Sequence, residues 1–311
     1  MTGKQLLSHG LTLGVVVLMV FAAELTGERE IIFPEVTAIA VGLFLAPKRS
    51  WQVSKSRIFW LITLCAWAGL AISLWVPGPL WGKLSVAFLF CQLVLLFSGT
   101  GFAPLISAGV LPVMLGTQSM VYPLAAMALT GLLVLLRLGL EQRGQKEREP
   151  FTPLPPPGKS DWLQLLLRCG IGVGCIMGPV GVGAPFAAAP PMLVAFTEFS
   201  RPGNKARQTP FKTGGLIFLC ALAGAACRYL LTIRLGLWLT LSAAVAVVGM
   251  MILFRAFRLF LPPAGALTIL AMLIPESVVV WYPLEILGGT IVFLGLAVLI
   301  NRREYQKKKI R

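Results

Sequence analysis

Apolar segments alternate with short polar connections along the whole chain. In the first half the apolar segments are Leu6–Glu24, Ile31–Ala46, Ile58–Val76, Leu84–Ser98, Phe102–Gly116 and Val121–Leu138. In the second half they are Trp162–Gly181, Ala184–Thr197, Gly214–Thr232, Leu237–Phe257, Pro262–Ile274 and Trp281–Ile300. A bilayer core of about 30 Å requires about 20 helical residues, so the longer segments are predicted to be transmembrane helices. The pattern predicts an all-α polytopic membrane protein.

Composition and charge agree with this prediction. The chain is 57% hydrophobic and 13% charged, whereas soluble domains are about 45–50% apolar and about 25% charged. A net charge of +15 would suggest nucleic acid as the partner of a soluble protein. Here the lysines and arginines lie in the short connections, as they do in cytoplasmic loops. We therefore expect the lipid bilayer as a partner and no nucleic acid.

One charged and proline-rich stretch, "EQRGQKEREPFTPLPPPGKSD" from Glu141, divides the chain, and six apolar segments lie on each side of it. The last segment of each half begins similarly, with "YPLAAMALT" from Tyr122 and "YPLEILGGT" from Tyr282. These observations predict a duplicated unit. The predicted parts are a first membrane repeat at 1–140, a cytoplasmic linker at 141–160 and a second membrane repeat at 161–311.

The distribution of basic residues predicts the orientation. If the N-terminus is cytoplasmic and every segment crosses, the inside receives Lys4, the loops from Pro47 and Ser200, the linker and the tail "NRREYQKKKIR". The outside then receives only Arg29, Lys83, Arg228 and Arg234. An even number of crossings per half makes the two repeats parallel. We expect an integral protein of a bacterial plasma (inner) membrane with both termini in the cytoplasm.

The second and fifth segments of each half are predicted to be short or broken. Pro262–Ile274 has 13 residues, and Ala184–Thr197 contains three prolines. Broken helices leave backbone N–H groups unpaired at membrane depth, where only protein or a water-filled cavity satisfies them. A helix N-terminus there favours an anion. The breaks therefore suggest a small-anion site between the halves, although prolines and glycines can also serve only for kinks and close packing.

The candidate substrate-binding residues lie at these breaks. They are Pro262, Pro263, Gly265 and Ala266 in the second half, Pro104, Ile106 and Ser107 in the first half, and Pro34, Glu35, Pro190 and Glu285. The two glutamates qualify because ionisable residues inside a membrane are costly and are functional candidates by default. An ionised carboxylate would oppose an anion beside it. We therefore expect Glu35 and Glu285 to be protonated or to lie away from the anion.

Enzyme chemistry finds little support in the residues. His9 is the sole histidine, Asp161 is the sole aspartate, and no serine or cysteine has a recognisable general base. The six cysteines lie in apolar segments without metal-ligand spacing, which indicates buried inert thiols. No cofactor and no metal site are expected. Gly170, Gly174 and Gly178 form a GxxxGxxxG face, which predicts helix packing.

The stretch "LPPAGALTILAML" from Leu261 resembles the HPP family of integral membrane proteins, named for a His-Pro-Pro motif at the start of a short segment rich in Gly and Ala. Upstream, "GAPFAAAPPMLVAFTEFSRPGNKARQTPFKTGG" is similar to that family's small-residue segment and basic loop. The resemblance covers about residues 162–303, and the first half resembles a diverged copy. Leu261 stands in place of the motif histidine, and the first half has only "FAPLISAG".

Members of this family have been connected with nitrite transport, so the resemblance implies transport of a small anion. It carries over only to Pro262, Pro263, Gly265, Ala266 and Arg207. Our hypothesis is a membrane transporter or channel-like permease for a small inorganic anion such as nitrite, with no enzymatic activity. The alternative is a non-transporting membrane scaffold or assembly protein. The sequence makes no prediction of the oligomeric state.

Overall fold

A computed structural model describes residues 3–47, 50–148, 150–201, 204 and 206–300. Within these residues every regular element is a helix and no strand is present, which confirms the all-α prediction. The helices of the first half are α1 Gly3–Thr26, α2 Glu35–Ala40, α3 Lys55–Trp75, α4 Leu80–Phe97, α5 Pro104–Leu115 and α6 Val121–Gln142. Those of the second half are α7 Lys159–Gly181, α8 Pro190–Phe199, α9 Pro210–Cys227, α10 Leu239–Phe257, α11 Pro262–Leu270 and α12 Tyr282–Ile300.

Eight of these helices, all but α2, α5, α8 and α11, are long and apolar enough to cross a membrane. They form the outer layer, and large apolar side chains stand on its surface, including Trp60 (63% exposed) and Leu135 (67% exposed). An outer layer of this kind would aggregate in water, but it matches the hydrocarbon of a bilayer. The chain is therefore an integral membrane protein.

The four short helices form the core. Every residue of α2 and α11 is buried, and so are Pro104–Val113 of α5 and all but one residue of α8. A helix of 9 to 12 residues covers only about 14–18 Å. The predicted shortness of the second and fifth segments in each half is confirmed.

Proline determines where three of the short helices begin. Pro104, Pro190 and Pro262 lie in the first turn of α5, α8 and α11, where the missing N–H would have no helical partner anyway. Gly116 ends α5 in the left-handed conformation, with φ of 66°, which glycine adopts without steric cost. These starts and stops confine each helix to part of the bilayer thickness.

The two halves interlock through matching helices. Helix α1 packs on α10 and α4 packs on α7, while in the core α2 packs on α11 and α5 packs on α8. Each pair joins one helix of the first half to one of the second, so the described residues form one helical body. The duplication, its boundaries and the parallel relation of the repeats stay predictions.

Glycine also allows two helix pairs within the halves, α3 with α5 and α9 with α11, to pack at backbone distance. A Cβ added to Gly69 of α3 would lie 2.2 Å from the carbonyl oxygen of Gly109 on α5. One added to Gly224 of α9 would lie 2.1 Å from the carbonyl oxygen of Thr268 on α11. In contrast, Gly170, Gly174 and Gly178 are exposed with open space around them, so this face of α7 does not pack against another helix of the described chain.

Several basic residues gather at one end of the bundle, together with the linker. Lys4 Nζ donates to Gly144 O at 3.2 Å, and Arg57 Nη1 donates to Ser98 O at 2.5 Å. Lys55 pairs with Glu141 at the same end. Lys48, Arg49 and the tail 301–311, which the orientation argument also used, lie outside the described residues. The assignment of this end to the cytoplasm stays a prediction.

Candidate functional site

Two candidate residues from the first half meet in the core. Glu35 is the first residue of α2, directly after the buried Pro34. The Ser107 hydroxyl, one turn into α5, donates a hydrogen bond to Glu35 Oε1. Both residues are 1% exposed. The structure therefore places a carboxyl group inside the helical core against a neutral donor.

Two polar atoms near this contact lack a hydrogen-bond partner among the described residues. They are Glu35 Oε2 and Thr37 Oγ1, and both are buried. A Cβ added to Gly265 of α11 would lie 3.4 Å from Thr37 Cγ2 and 3.2 Å from Val41 Cγ2. Helix α2 thus contacts α5 through Glu35 and Ser107, and it contacts α11 through Thr37 and Gly265. We call these four residues the core cluster. Buried polar atoms without partners are uncommon in folded proteins and call for an explanation.

The backbone amides proposed to hold an anion are already in use in this conformation. The N–H of Gly265 donates to Leu261 O at 3.4 Å, and that of Ile106 donates to Ala103 O at 3.0 Å. Pro104, Pro262, Pro263 and Ala266 are buried at the same helix starts. A role for these amides in anion binding stays a prediction.

A cavity of about 490 Å³ opens at the linker end of the bundle, and two arginines line it. Arg201 Nη1 donates to Gly101 O at 2.6 Å, and Arg168 Nε donates to Gln164 O at 3.2 Å. Burial, and next the positive charge of Arg168, lower the pKa of Arg201 to about 10, so its guanidinium stays protonated at neutral pH. Asp161 is the one carboxylate among the lining residues. We call this space the arginine cavity.

Polar side chains connect the arginine cavity to α8 of the core. Gln92 lines the cavity, is 1% exposed and donates to Thr197 Oγ1 at 2.7 Å. Trp51, also in the lining, donates from its indole N–H to Glu198 Oε1 at 2.6 Å. The Trp51 ring also packs edge-on against Phe102, just before α5, at 5.2 Å between ring centroids. The cavity therefore touches the ends of two core helices.

Comparison with known proteins identifies a family similarity in the second half of the chain. The family model described as HPP, transmembrane region, matches residues 161–309. These residues, which we call the HPP region, are therefore similar to the transmembrane region of HPP proteins. The resemblance inferred from the "LPPAGALTILAML" stretch is confirmed. No curated protein and no solved structure matches the chain.

The HPP region contains α7–α12, and hence Arg168, Arg201 and Gly265, but not Glu35 or Ser107. Leu261, which stands where the family motif has histidine, is 4% exposed, and its carbonyl accepts the N–H of Ala264 at 3.0 Å. This position therefore offers no titratable group. Arg207 donates to the carbonyl of Phe199, the last residue of α8, at 3.1 Å, so it stabilises the end of a core helix.

Pro190 and Glu285 lie at the other interrupted segment of the HPP region, the break before α8. The Glu285 carboxylate on α12 accepts the backbone N–H of Phe186 at 2.9 Å. Phe186 lies in the short 3₁₀ turn Pro185–Ala188, directly before α8 and Pro190. The carboxylate thus satisfies a backbone donor at a helix break, as irregular backbone in a membrane requires.

Most of the arginine cavity is not predicted by the sequence. The sequence places Arg201 only in the basic loop from Ser200, and it does not single out Gln92 or Trp51. A signal for Gln92 does exist, because a lone amide in the apolar α4 is unexpected unless it has a buried partner. Nothing local in the sequence brings α4, α7 and the loop after α8 together.

Proposed function

We propose that this protein is a transporter or channel-like permease for a small monovalent inorganic anion, with nitrite as the representative. The observation that carries the proposal is the arginine cavity, where two guanidinium groups line a space beside the interrupted core helices. The HPP region supports it, because all six of its helices contribute to the outer layer or to the core described above.

The counter-charge near the two cavity arginines is limited to two carboxylates that form no ion pair with them, Asp161 in the lining and the neighbouring Glu198. Among the described residues the ion pairs are Lys55–Glu141 and Arg137–Glu141, so neither cavity arginine forms one there. Two like charges in a partly desolvated space repel each other, and an anion between them relieves this cost. Guanidinium groups also donate in a planar fork that suits the oxygens of a small oxyanion.

The core favours a small monovalent ion over a larger polyanion. Beyond the cavity the short helices are fully buried, and the groups in the core cluster are hydroxyls and a carboxyl rather than cations. Neutral donors bind a monovalent anion weakly enough for release. A polyphosphate would find no matching positive charge there. We therefore propose that the anion first binds in the arginine cavity and then crosses the core.

The test is uptake of labelled nitrite by purified protein in proteoliposomes, with protein-free vesicles as background. Arg201→Gln and Arg168→Gln should each lower uptake about tenfold to a hundredfold, because a charge-assisted hydrogen bond is worth about 1.5–3 kcal/mol. Arg201→Lys should retain more uptake than Arg201→Gln because it keeps the charge. The matched control is Arg148→Gln, at an exposed linker position outside the cavity.

Uptake by the Arg148→Gln control should equal that of the wild type. Wild-type uptake no greater than the protein-free background, for nitrite, chloride and formate alike, would leave the non-transporting scaffold as the better hypothesis. Unchanged uptake by both cavity variants would show instead that the anion does not pass through the arginine cavity.

A further inference from the structure

We infer that the Glu35 carboxyl group binds the proton that accompanies the transported anion, so that each anion crosses the core together with one proton. The inference rests on the proposed function. The observation behind it is the core cluster, in which a fully buried carboxyl group has one neutral partner and one oxygen without any partner among the described residues.

The surroundings of Glu35 favour its acid form. The contact from Ser107 supplies one hydrogen bond to Oε1, and Oε2 has none among the described residues. An ionised carboxylate buried in this way is costly because it lacks both water and a cation. The acid form carries an O–H that needs an acceptor. A small anion beside Oε2 supplies that acceptor.

The helices packed on α2 bring few charges to Glu35. Helices α5 and α11 contain no titratable residue. From α6, Tyr122 donates its hydroxyl hydrogen to Ala108 O at 3.0 Å, while Arg137 binds Leu43 O at the far end of the α2 segment. The remaining titratable groups on α1, on the preceding turn and on α6 are engaged elsewhere: Lys4 with Gly144, His9 with Gln5, Glu24 with Leu239 and Thr240, Glu30 with Ser119, and Glu141 with Lys55 and Arg137.

Arg29 also lies on that preceding turn and is exposed. Cys65 and Cys91, which lie near Tyr122, are buried free cysteines. Among the described residues around α2, Glu35 is therefore the buried carboxyl group that has no charged partner.

The coupling follows from charge balance. The proton binds Glu35 Oε2 from the side on which the anion enters, and the neutral acid then hydrogen-bonds the anion. On the other side the anion leaves, the proton passes from Oε2 to water, and the carboxylate forms again. One positive and one negative charge move together, so transport of a monovalent anion is electroneutral. Because linkage is reciprocal, protonation strengthens anion binding by the same factor by which the anion strengthens protonation.

The experiment measures how a pH gradient affects nitrite accumulation in proteoliposomes, after subtraction of the protein-free background. One proton per anion predicts about tenfold accumulation per unit of pH difference, acid outside. A membrane potential imposed with potassium and valinomycin should not change it. The variant E35Q cannot carry a proton at this position. It is expected to exchange labelled for unlabelled nitrite more slowly than the wild type and to lose accumulation driven by the pH gradient.

The matched control is E28Q, at an exposed glutamate seven residues earlier, and it should keep the wild-type response. Full gradient-driven accumulation by E35Q would overturn the inference and leave the proposed function intact. A native size-exclusion profile would show that the E35Q protein is folded. Complete loss of nitrite exchange by this folded variant would also overturn the inference, because the glutamine amide keeps a neutral donor of the same size. Absence of any nitrite uptake by the wild type would contradict the proposed function itself, which separates the two failures.

Discussion

Tyr122 of α6 and Tyr282 of α12 make the same contact in the two halves of the protein. Each donates its hydroxyl hydrogen to a backbone carbonyl of a short core helix, Tyr122 to Ala108 O at 3.0 Å and Tyr282 to Leu267 O at 2.7 Å. Each ring also packs edge-on against a phenylalanine, Phe33 at 5.8 Å and Phe186 at 6.1 Å between centroids. These paired contacts fasten α5 and α11 to the outer layer.

Tyr122→Phe and Tyr282→Phe should therefore have similar effects. Each removes one buried hydrogen bond without changing the packing volume, which costs about 0.5–1.5 kcal/mol of folding free energy. The measurement is thermal unfolding in detergent. Tyr229→Phe serves as control, since the Tyr229 hydroxyl accepts only from the exposed Arg234 among the described residues. A large effect of one core substitution and none of the other would argue against equivalent roles in two repeats.

Gly69 and Gly224 of the outer helices should tolerate alanine poorly. Alanine at either position would bring its Cβ within about 2.2 Å of a backbone carbonyl, at Gly109 and Thr268 respectively. Relief of this clash requires the helix backbones to move apart. Each substitution is expected to destabilise the protein by about 1–3 kcal/mol and to lower the unfolding temperature. Gly174→Ala is the matched control, because it is helical, exposed and free of neighbours within 4 Å. Equal unfolding temperatures for all three variants would contradict the packing.

Glu24 stabilises the start of α10 from the other half of the chain. Its carboxylate accepts the backbone N–H of Leu239 at 2.7 Å, the N–H of Thr240 at 3.0 Å and the Thr240 hydroxyl at 2.7 Å. Glu24→Ala leaves these donors without an acceptor and should cost about 1–3 kcal/mol, whereas Glu28→Ala at an exposed site should cost little. Thermal unfolding of both variants in the same detergent would show the difference in unfolding temperature. Equal unfolding temperatures would contradict a capping role for Glu24.

The orientation prediction is tested by single-cysteine labelling from outside intact cells. Ser160 lies at the end of the bundle that holds the linker and Lys4, while Ser277 lies in the connection between α11 and α12 at the other end. A membrane-impermeant maleimide should label Ser277→Cys and spare Ser160→Cys, because basic connections stay in the cytoplasm. Both positions are exposed, so accessibility does not bias the comparison. The opposite labelling pattern would reverse the predicted topology.

The sequence by itself determined the outer layer and the existence of the core breaks. Apolar length identifies spans such as α3 and α12, because a bilayer admits only helices of a given length. Proline fixes helix starts at Pro104, Pro190 and Pro262, because its φ angle and missing N–H are local properties. The "LPPAGALTILAML" stretch likewise sufficed for the family of the second half.

Only the tertiary structure decided what the breaks surround. The contact between Glu35 and Ser107 joins residues 72 positions apart, and the arginine cavity combines α4, α7, the linker and the loop after α8. The face of Gly170 and Gly174 was expected to pack, but it lies on the outside of the chain. Such contacts depend on which helices become neighbours. In a membrane nearly every helix face is apolar and close in hydropathy, so the sequence pattern does not distinguish faces that meet protein from faces that meet lipid.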